Sequence, residues 1–126
     1  MGISMEKLKV GNSRIPTLEP LEVEGLADTG AVFLCLPEEV ARQLQLNETS
    51  KKEVTLADGR RQTCPYVGPV HLRFENRECY VGAIVLGDEV LLGVVPMEDM
   101  DLIVIPNELR VAINPLHPDY AAGRVK

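Results

Sequence analysis

The sequence has no excess of positive charge: 13 basic residues stand against 19 acidic ones, for a net charge of −6. Phosphate backbones and anionic membrane surfaces attract basic proteins, so neither a nucleic acid nor a membrane is an expected partner. It has no apolar run near the ~18–20 residues needed to cross a bilayer. Charged residues stand in the first ten positions where a signal peptide would carry its apolar stretch, so the chain reads as cytoplasmic. It has only three cysteines, Cys35, Cys64 and Cys79, an odd number without CxxC spacing. Neither a disulfide framework nor a zinc knuckle follows from them. Two histidines, His71 and His117, lack metal-ligand spacing, and no metal site is expected. Internal repeats, low-complexity segments and a Ser/Gly-rich linker are absent as well.

What remains is an ordinary globular composition. With 126 residues, 45% of them hydrophobic and 25% charged, the chain suits a single domain, 1–126, able to bury its own core. Valine and isoleucine are abundant, and 10 glycines and 9 prolines punctuate the chain. That pattern predicts many short strands joined by turns, a mainly β domain.

The strands can be placed from their alternation. Leu21, Val23 and Gly25 alternate with Glu22 and Glu24, a strand with one buried face that runs into Leu26-Ala27-Asp28-Thr29-Gly30. Pro37-Glu38-Glu39 reads as a first helical turn, with proline at the first position and carboxylates at the positive end of the dipole. Leu36, Val40 and Leu44 would share its face, and the helix should end near Leu46-Asn47. Two arms around Ala57-Asp58-Gly59-Arg60 form one hairpin, and the strands either side of Glu75-Asn76-Arg77 form another. Residues 90–95 are a short apolar run read as a strand buried on both faces, with a possible helical turn at 96–100. Strands at 102–105 and 109–113 complete the β elements, and the tail beyond them reads as an arm without its own core. The basic pairs Lys51-Lys52 and Arg60-Arg61 read as solvated surface.

Asp28-Thr29-Gly30 is the one sharp motif. A given tripeptide of this kind occurs by chance in a few per cent of chains this long, so its surroundings decide. Apolar Leu26 and Ala27 precede it and Ala31 with an apolar run follows, which places the aspartate inside the fold; a surface turn would be more polar.

On these residues the sequence resembles the retropepsin-like aspartic proteases, the family of the retroviral proteases and their bacterial relatives. Leu26-Ala27-Asp28-Thr29-Gly30-Ala31 is similar to the family's active-site segment. The hairpin tip Ala57, Asp58, Gly59 and Arg60 lies where the family has its flap, and Leu91-Leu92-Gly93 after Val90 matches a later apolar-Gly element. The likeness covers about residues 18–114 and leaves the two ends as arms. It implies the acid protease fold, a closed β-barrel or sandwich with one short helix.

It also implies a mechanism. One aspartate from each of two copies would meet on a twofold axis, share one proton because two close carboxylates cannot both ionise cheaply, and activate a water against a peptide carbonyl. Asp28 would be the catalytic residue, with Thr29, Gly30 and Ala31 supporting it. No metal and no cofactor are needed. The partners implied are a second copy of the chain and a peptide or protein substrate. Because the chain holds one Asp-Thr-Gly, a monomer would carry half a site.

Three positions depart from the family pattern. Val32 stands where a polar residue is common, Val94-Val95 follow Gly93 where retroviral members have a polar pair, and the flap tip has one glycine. The departures at Val32 and Val94 motivate an alternative, a catalytically silent domain that keeps the scaffold for peptide binding or dimerisation.

Overall fold

A computed structural model describes residues 2–125; Met1 and Lys126, the ends of the expected domain and of its two arms, lie outside the described residues. The chain runs through strands β1 (Gly2–Asn12), β2 (Leu21–Asp28) and β3 (Leu34–Leu36), helix α1 (Glu38–Gln43), and strands β4 (Glu48–Thr55), β5 (Arg61–Phe74), β6 (Arg77–Val85) and β7 (Val90–Leu92). Helix α2 (Val94–Asp99), strand β8 (Leu102–Ile105) and strand β9 (Arg110–Ile113) follow.

The main sheet has the order β1-β2-β7-β3-β6-β5-β4, and β1 also pairs with β5. That second pairing closes six strands into a ring and leaves β4 outside it, joined only to β5. Closure removes most of the exposed sheet edge. The interior is aliphatic: Val10, Leu34, Leu36, Val70, Leu72, Leu92 and Met100 are fully buried, each side chain contributing about 1.5–3 kcal/mol of transfer free energy.

The first strand shows why an N-terminal arm is the wrong description. Leu8 and Val10 are buried while Lys7 and Lys9, each just before one of them, are exposed, the alternation of a strand with one core face. β1 pairs with β2 along nearly its whole length and with β5 from Lys9 to Asn12. At its end, buried Asn12 donates from Nδ2 to the carbonyls of Leu44 and Gln45 at 2.9 and 3.1 Å. These are the free carbonyls at the end of α1, so the helix stops at Gln43, short of the expected 46–47.

Residues 90–95 also divide differently from the expected single strand. β7 ends at Leu92, and α2 begins at Val94. The first N–H groups of a helix have no partner within it; here Val94 donates to Ala31 O and Val95 to Val32 O, both at 2.9 Å. The loop after Asp28 thus supplies the acceptors that let the chain turn helical. Among the described residues there are therefore two short helices, where one was expected, with a further 3₁₀ turn at Pro106–Glu108.

The tail is tied down more firmly than an arm would be. Asp101 accepts from His117 Nδ1 at 2.6 Å, from Asn114 Nδ2 at 3.2 Å and from the Ala122 N–H at 3.1 Å. Asn76 Nδ2 donates to Pro118 O at 3.1 Å, and the buried Arg77 guanidinium donates from Nη2 to His117 O.

Candidate active site

Asp28 is the last residue of β2, at the point where the chain leaves the barrel. β7 lies between the two strands that flank its loop: Leu26 and Ala27 of β2 pair in parallel with Leu91 and Leu92, and Cys35 of β3 pairs antiparallel with Leu91. The loop 29–33 therefore arches over the end of β7. Sequence-expected Leu91 and Leu92 thus lie beside Leu26 and Ala27, just before Asp28, Thr29, Gly30 and Ala31, and Gly93 lies against Val32 and Phe33 of the loop. Gly93 permits the crossing, because a Cβ there would lie 2.3 Å from Phe33 O and 2.8 Å from Val32 C and O.

The loop holds the carboxylate by its own backbone. The Gly30 N–H donates to Asp28 Oδ1 at 2.8 Å, and the Ala31 N–H donates to Asp28 O at 3.1 Å. The carboxyl is kept below the ordinary aspartate value by hydrogen bonding, the Gly30 N–H included, against the upward pull of burial. It is ionised near neutrality. Thr29 and Gly30 are exposed, and Val32 and Val95 expose 55% and 42% of their surface beside them.

The cysteines take no part as nucleophiles. All three are buried and free. Burial, with Cys64 and Asp28 as electronegative neighbours, pushes the Cys35 thiol up to about 11, which leaves it protonated near neutrality. His71 is engaged by Glu78 at 2.6 Å.

β4 and β5 form the expected hairpin, with arms longer than the alternation indicated. Its tip is closed on itself: Leu56 N–H donates to Arg60 O, Gly59 N–H to Leu56 O, and Asp58 accepts from Arg60 at both the backbone and Nε. Ala57, Asp58, Gly59 and Arg60 thus form a compact polar turn. The arms contact the Asp28 loop. Val54 and Tyr66 join Phe33, Cys35, Ile84 and Leu91 in a second apolar cluster separate from the barrel core.

The sequence model of a family described as aspartyl protease matches residues 7–113. The chain belongs to the aspartyl protease family. The protease is accordingly a peptidase, a hydrolase. Among solved structures it is similar to the EIAV protease in complex with the inhibitor HBY-793, at 15% identity and a TM-score of 0.61, over 81% of this chain and 91% of that one. That likeness establishes the retropepsin-like fold. No curated protein matches the chain.

Two grooves of the protease, of about 650 and 430 Å³, lie elsewhere, on the outer face of β1, β2 and β5, with Lys9 and Arg73 in both. Neither touches Asp28. Lys52 is a residue of the hairpin that its sequence setting obscured. Its partners are rings: its Nζ lies 4.5 Å from the Tyr66 ring centroid and 5.5 Å from that of Phe33. The signal was the alternation Lys52, Val54, Leu56, which puts the lysine on the same face as two apolar residues.

Proposed function

We propose that the protease hydrolyses peptide bonds with a water activated by two Asp28 carboxylates, one from each subunit of a homodimer. The observation that carries this reading is the seat of Asp28, at the end of β2 over Gly93, with its carboxylate oriented by Gly30 and Thr29 exposed beside it. A single Asp-Thr-Gly per chain leaves each subunit with one carboxylate. In the pair, one aspartate stays ionised as general base toward water, while the other keeps the shared proton and donates it to the carbonyl oxygen of the substrate. Attack gives a tetrahedral diol, and return of a proton to the nitrogen releases the two peptides. An extended substrate would lie between the Asp28 loops and the hairpins, its side chains alternating between the walls.

The subunits would meet through β8. This strand is Leu-Ile-Val-Ile and pairs only with β9, among the described residues, in a two-stranded sheet, which alone is marginally stable in water. Val111 of β9 turns its N–H to Glu6 Oε2 at 3.1 Å, so β9 leans on the barrel and β8 keeps an open edge. Leu102 and Val104 pack against the core, whereas half-buried Ile103 and Ile105 lie outside it. An apolar open edge is a site for pairing with another chain, and a second copy paired edge to edge would satisfy it.

The test is cleavage of a peptide library from acidic to neutral pH, with sedimentation of the same sample. Cleavage by a dimer that Asp28→Asn abolishes supports the reading. Full activity in a monomer overturns the dyad, and an inactive wild type that binds extended peptides favours the silent module.

A further inference from the structure

Over the paired stretch from Glu48 to Val67 the hairpin carries four cations, Lys51, Lys52, Arg60 and Arg61. Three of them face carboxylates of the same hairpin: Lys51 with Glu48 at 3.0 Å, Arg60 with Asp58 at 2.6 Å and Arg61 with Glu53 at 3.8 Å. These pairs are exposed. Lys52 is different in both position and partners. It is half-buried, and strand alternation sets Lys52 and Val54 on one face of β4 while Lys51, Glu53 and Thr55 are exposed on the other.

The face that holds Lys52 is the one turned to the Asp28 loop. Val54, two residues along, packs in the cluster that includes Phe33 and Leu91. Lys52 itself rests on Phe33 and Tyr66, whose rings meet edge to face with centroids 6.1 Å apart at 68°. Tyr66 is fixed in turn, because its ring fills the space over Gly82, where a Cβ would fall 2.1 Å from Tyr66 Cζ. Among the described residues no carboxylate forms an ion pair with Lys52.

Aromatic faces attract an ammonium through their quadrupoles without cancelling its charge. They also exclude water from one side of it, which raises the effective strength of any further ionic contact. A fixed and partly desolvated cation on the inner wall of a peptide cleft favours a complementary anion on the peptide. The net charge of −6 gives acidic peptides no general attraction to this protein, so a preference for them has to be local.

We propose that Lys52 is a specificity-determining residue that selects an aspartate or glutamate side chain where the substrate passes Phe33 and Tyr66. The inference rests on the cleft described under the proposed function. In a twofold dimer each half of the cleft carries one Lys52, so one acidic position lies on each side of the cleaved bond.

The experiment scans Glu, Gln and Lys through each position of a cleaved peptide and compares kcat/KM for the wild type, Lys52→Met and Lys52→Glu. In parallel, affinities of the same peptides are measured for Asp28→Asn protein with and without Lys52→Met. The expected result is a preference for Glu over Gln of about tenfold at one position on each side, the scale of a hydrogen bond to a charged group. Lys52→Met removes that preference, and Lys52→Glu turns it toward Lys. Equal use of Glu and Gln at every position, or a preference that survives Lys52→Met, overturns the assignment while leaving the peptidase reading intact. If the wild type cleaves nothing, Lys52-dependent binding of Glu peptides by the Asp28→Asn protein still supports the assignment, and its absence refutes it.

Discussion

Phe33 O and Gly93 Cα approach so closely that the glycine hydrogen is all the space allows; a methyl there would sit 2.3 Å from that oxygen. The neighbour is backbone, and the two residues before it, Ala31 and Val32, are fastened by the Val94 and Val95 N–H groups, so it cannot swing aside like a flexible side chain. Gly93→Ala should therefore destabilise the protein by about 1–3 kcal/mol, the usual cost of overpacking. Urea unfolding measures it, and a variant as stable as the wild type would contradict the crossing.

Asp28→Asn keeps the shape of the side chain and its capacity to accept from the Gly30 N–H, so the fold should stand. The amide cannot act as a base. Peptide cleavage should fall at least ~10²–10⁴-fold, the range for a general acid–base group, with the melting temperature near that of the wild type. Residual activity close to wild type would remove Asp28 from the mechanism.

Ile103 lies on the side of β8 that does not pack against the core. Ile103→Glu should leave the circular dichroism spectrum unchanged and shift the sedimenting species from dimer to monomer, with activity falling in step at low protein concentration. A dimer of undiminished strength would locate the interface elsewhere.

The tail should respond to acid. Asp101 is held below the ordinary aspartate value first by the Ala122 N–H, against an opposing effect of burial that ranks next, and then by Asn114 and His117. A group with a depressed folded pKa contributes stability above its unfolded value of about 3.9 and loses it as pH falls through the folded value. Amide protection at Ala122 should therefore be present at pH 5–7 and fade below about pH 4. Asp101→Ala should remove it across the whole range; protection that persists at low pH would show that the carboxylate is not the anchor.

The sequence was most legible where one face is buried. The alternation of 21–28 gave β2 and its terminal aspartate, and the Asp58-Gly59 turn gave the hairpin. Apolar content alone could not divide 90–95, because Val94 and Val95 are valines in a helix whose first N–H groups find acceptors distant in sequence, at Ala31 and Val32. β1 was hidden by the opposite circumstance: Ser4, Glu6, Lys7 and Lys9 dilute the apolar signal of Leu8 and Val10. Lys52 was obscured by Lys51 beside it. Two adjacent lysines look like one basic patch until the pleat sends them to opposite faces.

The placement of β7 sets the order in which the molecule can be made. During synthesis the aspartate emerges 63 to 65 positions ahead of Leu91, Leu92 and Gly93, which supply the strand beside its loop. Contacts so distant along the chain form late and slowly. A ribosome carrying a chain that stops short of Leu91 therefore holds the Asp28 loop without the strand that pairs beside it.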